Sequence, residues 1–157
     1  MTLPLPAADR ALCAHCGLDV PPSMIREREA AQFCCSGCRQ VHVLIHEWGL
    51  EQYYRLTARD TTPLEPARIS GRAFDDFDDN AAQGEASVPL PGGRVRTRLY
   101  LEGVNCTACI WLVERLPSVL PGVNEVRLNF GSAVADVVWQ PSQTRLSIVA
   151  RALDRLG

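Results

Sequence analysis

The chain lacks the features that mark membrane-spanning, secreted and nucleic-acid-binding proteins. No stretch approaches the roughly 20 apolar residues that a membrane helix needs. The first ten residues contain no charged segment followed by an apolar core, so we expect no secretory leader. Lysine is absent, the net charge is −2 and the isoelectric point is near 5.9. This charge provides no basic face of the kind that nucleic acid requires.

Cysteine, in contrast, is abundant, with seven thiols among 157 residues. Thiols stay reduced in a cytosolic protein, so clustered cysteines indicate metal ligands or redox groups and not a disulfide framework. The length allows one ordinary domain or two small ones, and a domain of about 60–70 residues often needs a metal or another cross-link for stability. The cysteine clusters are therefore the strongest functional signals in the chain.

Cys106 and Cys109 form a Cys-x-x-Cys pair between a strand-like run, 97–101, and a helix-like run, 108–116. This order predicts a partly exposed loop at a helix N-terminus, where free N–H groups and the helix dipole favour thiolate. Two thiolates on a short loop suit a soft, low-coordinate ion such as Cu(I). The same spacing serves thiol–disulfide catalysis, which remains an alternative. A predicted β-hairpin over 123–139 favours metal binding, because a thioredoxin-like protein has a different strand order.

A second group of cysteines lies in the first third of the chain. Cys13 and Cys16 form one pair and Cys34 and Cys38 another, and four thiolates predict a tetrahedral site. Structural Zn(II) is the simplest occupant, because a unit of about 40 residues has too small a core to fold unaided. A second Cu(I) site that receives or passes on the ion is the alternative. Cys35 also forms Cys-x-x-Cys with Cys38; we expect Cys34 to be the ligand and Cys35 an adjustable fifth thiol.

The three histidines are weaker candidates. His42 and His46 stand at positions i and i+4 of a predicted helix, a spacing that can chelate a metal. The apolar residues of that helix define a different face, so we expect both histidines to face solvent. His15 lies between Cys13 and Cys16 and is a possible but less favoured additional ligand.

The pattern along the chain divides it into four parts. Residues 1–10 form a flexible tail and residues 11–58 a cysteine-rich metal-binding domain. Residues 59–92 form an acidic, proline-rich linker, and residues 93–157 form a regular α+β domain. The fold class that we expect is therefore α+β in two modules.

The elements of the last part occur in the order β-α-β-β-α. Pro117 should end its first helix early, and Ser142 is the predicted N-cap of its second helix. A ferredoxin-like βαββαβ domain requires one further strand. We therefore expect a fragment that ends before this strand, with a sheet edge left exposed; dimerisation through that edge is a hypothesis.

Two motifs together resemble parts of a known transporter family. The run Gly-Val-Asn-Cys-Thr-Ala-Cys-Ile-Trp-Leu-Val-Glu at 103–114, followed by Leu-Pro-Gly-Val at 120–123, resembles a heavy-metal-associated domain. The run Phe-Cys-Cys-Ser-Gly-Cys at 33–38, preceded by the first Cys-x-x-Cys, resembles the cysteine-rich domain of one subgroup of bacterial copper-transporting P-type ATPases. That subgroup exports Cu(I) and supplies cytochrome oxidase assembly. One departure is Val104, where such domains usually carry Met.

The resemblance implies a Cu(I)-binding N-terminal region that regulates or supplies a larger pump at the cytoplasmic face of the inner membrane. It implies that Cys106 and Cys109 take Cu(I) from a copper chaperone or thiol copper buffer. The other implied partners are the remaining domains of the pump, with no nucleic acid and no membrane contact by this chain itself. We expect no ATPase activity from the chain alone. A thiol–disulfide oxidoreductase and a freestanding copper chaperone are the competing interpretations, and the missing strand speaks against the second.

Overall fold

The computed structural model describes residues 10–59 and 64–157, so almost all of the predicted tail lies outside the described residues. The fold is α+β, as the sequence predicts. The helices are α1 (Ser36–Glu47), α2 (Gln52–Thr57), α3 (Asn80–Ala86), α4 (Thr107–Glu114), α5 (Leu116–Val119) and α6 (Leu146–Asp154). The strands are β1 (Ser87–Leu90), β2 (Arg94–Tyr100), β3 (Val123–Asn129) and β4 (Val134–Trp139). Across residues 10–59 and 64–157, no helix is both long and apolar enough to cross a membrane.

Helix α1 organises the first module. Its residues Val41, Leu44 and Ile45 are buried, which confirms the apolar face that the sequence predicts. Gly49, which follows the helix, has a φ of 66°. The Gly49 N–H donates to His46 O at 3.1 Å, and the next N–H donates to Ile45 O at 2.9 Å. These two bonds form a Schellman motif, in which a left-handed residue after the helix allows its last carbonyls to be satisfied.

The second module is built on an antiparallel sheet with strand order β1-β2-β4-β3. From β2 onward the element order is β-α-β-β-α, in agreement with the prediction. One apolar core joins the sheet to the helices, with Leu116, Val137 and Val149 almost fully buried. The first helix of this module breaks at Arg115, and Pro117 lies in the first turn of α5. Proline is tolerated there because the first helical N–H groups have no partner within the helix.

Strand β1 lies within the predicted linker, 59–92, and is the main difference from the expected domain boundaries. It pairs with β2 through a turn in which Gly92 and Gly93 have φ values of 80° and 71°, which glycine adopts without steric cost. Because β1 occupies this side of the sheet, β2 is not the exposed edge strand that a missing strand predicts. Thr97 of β2 is buried, and its hydroxyl is hydrogen-bonded to the hydroxyl of Ser87, its partner on β1, at 2.7 Å.

The rest of the described linker docks on α6. The Asp154 carboxylate accepts from the N–H groups of Ser70 and Gly71 at 2.9 and 3.0 Å, and Arg151 donates to Ala73 O at 2.6 Å. Phe77 packs against the core of the second module. Residues 64–90 are called the strap below, and its acidic part lies across α6.

The predicted N-cap of α6 is wrong. The helix begins at Leu146, and neither Ser142 nor its actual N-cap residue supplies a side-chain cap. Instead, the Asp78 carboxylate accepts from the Ser147 N–H at 2.9 Å and from the Ser147 hydroxyl at 2.7 Å. The Asp78 carboxylate of the strap thus accepts a hydrogen bond from a free N–H group at the N-terminus of α6. The helix dipole favours a negative charge at this position.

The two modules share a second apolar cluster. Its buried members come from α1 and α2 on one side and from the start of α4 on the other: Val41, Ile45, Leu50, Tyr53, Cys106, Ala108 and Leu112. Burial of apolar surface stabilises association by roughly 25 cal/mol per Å². The cysteine-rich module is therefore packed against the helix that carries the second Cys-x-x-Cys pair.

Replacing Asp78 with alanine should lower the free energy of unfolding by about 1–2 kcal/mol, because α6 loses the acceptor at its N-terminus. Denaturant unfolding measures this difference. Asp79→Ala is the matched control, since Asp79 is an exposed neighbour that provides no side-chain cap. Equal stability of the two variants would show that the strap does not cap α6.

Candidate metal centre

Four cysteines of the first module bring their sulfurs together. The Sγ atoms of Cys13, Cys16, Cys34 and Cys38 all lie within 4.8 Å of one another. The Sγ atoms of Cys16 and Cys34 are 3.6 Å apart, and those of Cys34 and Cys38 are 3.7 Å apart. A tetrahedral ion with Zn–S bonds of about 2.3 Å requires sulfur–sulfur edges of about 3.8 Å. The separations therefore fit a four-coordinate ion of this size.

Each pair of cysteines is positioned by its own local structure. The first pair lies on a tight turn in which the Gly17 N–H donates to Cys13 O at 2.9 Å and Gly17 has a φ of 76°. An isolated bridge between Cys13 and Gln32 joins this turn to the segment that precedes α1. Cys38 follows on the first turn of α1, where it is fully buried.

Cys35 lies outside the set of four sulfurs. It is the N-cap of α1, and its Sγ accepts a hydrogen bond from the Cys38 N–H at 3.3 Å. This contact gives the Cys35 sulfur a separate structural role at the helix start. The structure thus brings Cys34 to the cluster and leaves Cys35 beside it.

The strap completes the enclosure of the cluster. The Ala67 N–H donates to Cys38 Sγ at 3.4 Å. A Cβ on Gly37 would lie 2.6 Å from Ala67 O, so only glycine fits where the strap crosses α1. Sequence reasoning missed Ala67, because an alanine in a segment without regular structure carries no signal of its contact with a sulfur.

Burial and hydrogen bonding set the protonation of these thiols. Burial tends to raise the pKa of Cys13, but three backbone N–H groups that point at its sulfur lower that pKa to about 7. Burial raises the pKa of Cys34 to about 12 and also raises the pKa of Cys38. Without an ion, the cluster therefore retains protons, and an ion that binds must displace them.

Aromatic residues of α2 contact His15, which lies between the first two clustered cysteines. His15 is buried, its ring stacks on Tyr53 at a centroid distance of 5.7 Å, and its Nδ1 is 3.1 Å from the Tyr54 hydroxyl. Burial, together with the nearby His42, lowers the pKa of His15 to about 4, so the ring is neutral near pH 7. The contact with Tyr54 places His15 in a polar network, and His15 is not among the four clustered ligands.

The other two histidines lie on α1 on the side of Tyr54. The Nε2 atoms of His42 and His46 are 3.2 Å apart. His46 is exposed, as predicted, whereas His42 is half-buried and packs edge-on against Phe33. Burial, followed by the neighbouring His46, lowers the pKa of His42.

The second Cys-x-x-Cys pair begins α4. Cys106 is the N-cap, and its Sγ accepts from the Cys109 N–H at 3.1 Å, the same arrangement that Cys35 and Cys38 show at α1. Cys106 and Cys109 are joined by a disulfide in the structure. Only the reduced pair offers two thiolates to a metal, so the oxidation state of this pair decides whether it can bind one.

The two sulfurs of this pair differ in access. Cys106 is only 2% exposed beneath the first module, whereas Cys109 is half-buried. Cys109 also lines an open groove of about 810 Å³, whose walls include His15 and Tyr53 of the first module. The groove gives Cys109 a solvent-connected approach that Cys106 lacks.

Comparison with known proteins relates the first module and the strap to cation transport. Residues 12–86 match a family model described as "Putative metal-binding domain of cation transport ATPase". This range contains all four clustered cysteines, the Tyr53–Tyr54 pair and the strap residues that contact them. The matched range ends before the second Cys-x-x-Cys pair.

Two curated proteins are similar over shorter segments. The "Probable copper-transporting ATPase PacS" of Synechococcus elongatus is 37% identical over 59 residues, which cover 38% of this chain and 8% of that protein. The "Copper-exporting P-type ATPase" of Bacillus subtilis is 24% identical over 59 residues, which cover 38% of this chain and 7% of that protein. The matches thus span less than a tenth of either relative. No solved structure gives a significant match. The chain therefore contains a metal-binding region similar to that of cation transport ATPases and a segment similar to copper-transporting ATPases.

Proposed function

We propose that this chain is a Cu(I)-binding N-terminal region that regulates or supplies a copper-exporting P-type ATPase. The observation that carries the assignment to a cation pump is the convergence of four cysteine sulfurs within 4.8 Å in a segment that matches a cation-transport metal-binding domain. The names of the two relatives favour copper as the transported ion. The βαββα order that begins at β2 supports the heavy-metal-associated domain that we expect from the sequence, with β1 as an added edge strand.

The four-sulfur cluster is best suited to a structural ion. Three of its four cysteines are buried, the strap donates a hydrogen bond to Cys38, and Tyr53 of α2 packs on His15 next to Cys16. A closed site exchanges its ion slowly, which fits Zn(II) better than a transfer site for Cu(I). The residues that hold the ion are Cys13, Cys16, Cys34 and Cys38, and its contribution is folding free energy for a module with a small core.

Cu(I) is the ion that the Cys106–Cys109 pair binds and passes on once the disulfide is reduced. Reduction takes two electrons and two protons from a dithiol, which is itself oxidised to a disulfide, and leaves two thiols at the start of α4. The more accessible Cys109 sulfur then gives up its proton and adds to Cu(I) on a donor chaperone or thiol buffer. A three-coordinate intermediate loses one donor thiolate, and Cys106 replaces the second, so the ion is never free in solution.

The partners follow from this exchange. A copper chaperone or thiol copper buffer delivers the ion, and the remaining pump domains receive it or respond to it. The chain acts at the cytoplasmic face of the inner membrane as part of the pump. Because Cys106 is packed under the first module, binding of Cu(I) there is coupled to the contact between the modules.

A thiol–disulfide oxidoreductase is the second candidate function. The observation in its favour is the disulfide between Cys106 and Cys109 at a helix N-terminus, where the dipole stabilises a leaving thiolate. Such an enzyme needs its more accessible sulfur, that of Cys109, to exchange with substrate disulfides at an appreciable rate. Disulfide exchange with a model substrate, without tight Cu(I) binding, would identify this function.

Cu(I) competition with a chromogenic chelator tests the main proposal. The reduced chain should take up one tightly held equivalent that Cys106→Ser/Cys109→Ser lacks, because two thiolates are needed for a soft two-coordinate site. Cys35→Ser is the matched control, since it also removes a thiol but leaves Cys106, Cys109 and the four clustered cysteines intact. Absence of tight binding by the intact, reduced chain would refute the Cu(I) proposal.

The ligand set of the first module can be tested with two adjacent substitutions. Cys34→Ser should weaken Zn(II) binding by at least about tenfold and lower the melting temperature, because the cluster loses one sulfur and the module loses folding free energy. Cys35→Ser should retain the metal, since a serine oxygen can still cap α1. Chelator competition and thermal unfolding measure both variants. The reverse order of affinities would assign the ligand to Cys35.

The order of thiol modification tests the access route. In the reduced chain with Zn(II) bound, iodoacetamide should label Cys109 severalfold faster than Cys106, because Cys106 is buried beneath the first module. Peptide mass spectrometry after short exposure measures the two rates, and the same labelling in urea provides the unfolded reference. Faster labelling of Cys106 would mean that the first module does not cover it in solution.

A further inference from the structure

Two histidines on α1 have the geometry of a metal chelate. The Nε2 atoms of His42 and His46 approach to 3.2 Å, with ring centroids 4.4 Å apart. Two nitrogen ligands on one tetrahedral ion, with Zn–N bonds of about 2.0–2.1 Å, are separated by about 3.3 Å. The observed separation therefore allows both nitrogens to bind one ion with little rearrangement.

Glu51 orients one of the two rings. Its Oε1 lies 3.3 Å from Nδ1 of His46, on the opposite side of the ring from Nε2. A carboxylate at this place accepts the Nδ1–H and leaves the Nε2 lone pair free for a ligand, which is the usual partner of a metal-bound histidine. Neutral His42 then donates its Nε2–H to that lone pair. When His42 adopts its other neutral tautomer, this proton is on its Nδ1. The Nε2 lone pair of His42 is then also free to bind a metal.

Tyr54 holds the pair in place from the side. Its ring stacks on His46 at a centroid distance of 6.0 Å and lies 5.4 Å from the His42 ring. Phe33 contacts the other side of His42 at 5.0 Å. Aromatic packing restricts the rotation of both imidazoles, so less conformational entropy is lost when they bind an ion.

The His46 side of the pair is open to solvent. The side chains of His46 and Glu51 are 47% and 49% exposed, so an ion can enter directly and complete its coordination with water. Imidazole nitrogen suits ions of borderline softness such as Zn(II), whereas a two-coordinate Cu(I) site favours thiolate. The chemistry of this pair therefore differs from that of both cysteine sites.

We propose that His42 and His46 form a third metal site, which binds a divalent ion of borderline softness such as Zn(II) between their Nε2 atoms, with Glu51 orienting His46. This site is connected to the four-sulfur cluster through Tyr54, whose hydroxyl contacts His15 at 3.1 Å. It does not share a ligand with that cluster. The proposal does not depend on the identity of the ion at either cysteine site.

Nitrogen-15 NMR of the histidine rings, during titration of the intact disulfide-bonded chain with Zn(II), tests the proposal. Before zinc is added, His46 should show the Nδ1–H tautomer that Glu51 selects. Zinc beyond the equivalent taken by the cysteine cluster should shift the Nε2 resonances of His42 and His46 together and leave the buried His15 unmoved. If the cysteine cluster binds no zinc, the same shifts appear with the first equivalent, so failure of one site is distinguishable from failure of the other.

Substitutions separate a ligand role from a structural one. His42→Gln should weaken zinc binding at this site by at least about tenfold and abolish the zinc-induced shift of His46, although His46 itself is unchanged. Glu51→Ala should weaken binding by about tenfold, and Glu51→Gln, which retains an acceptor, should restore part of it. The proposal would be overturned if the histidine resonances did not change when zinc is added. It would also be overturned if the parent chain and His42→Gln bound zinc at this site with equal affinity.

Discussion

Helices α1 and α2 bury the start of α4 beneath Val41, Ile45 and Tyr53, and the two cysteine sites depend on this contact in different ways. On one side, Tyr53 stacks on His15, which lies between the clustered Cys13 and Cys16. On the other side, the same cluster of apolar residues covers Cys106 and leaves Cys109 as the more exposed sulfur. A change in this packing therefore alters the environment of both sites at once.

The strap between the modules contributes contacts to both of them. It supplies Ala67 to the sulfur of Cys38, a carboxylate from Asp78 to the start of α6, and the edge strand β1. Each contact pairs polar groups of the strap with polar groups of a module, and such groups are costly to leave unpaired when they are buried. An acidic, proline-rich composition is thus compatible with an ordered segment when its charges meet a helix N-terminus and its backbone meets a sheet edge.

One short motif is used twice with the same local geometry. In both Cys35-Ser-Gly-Cys38 and Cys106-Thr-Ala-Cys109 the first sulfur caps a helix and accepts from the N–H of the second cysteine. The surroundings then separate the two motifs. At α1, Cys38 turns toward three other sulfurs, whereas at α4 the two sulfurs have only each other among the described cysteines. Identical spacing therefore leads to a four-ligand cluster in one place and to a two-sulfur pair in the other.

Local patterns in the sequence determined the α+β class, the helices that follow Cys34 and Cys106, and the break near Pro117, because periodicity and proline act over a few residues. They also indicated the four clustered cysteines by their spacing.

Only the tertiary structure decided the role of the strap. Pro89 hides β1 from a pattern search, since proline is excluded from central strands but accepted at an edge. The cap from Asp78, the distinct positions of Cys34 and Cys35, the burial of Cys106 and the approach of His46 to Glu51 all depend on where side chains point after packing. Spacing along the chain determines which residues can meet, but packing between elements decides which of them do.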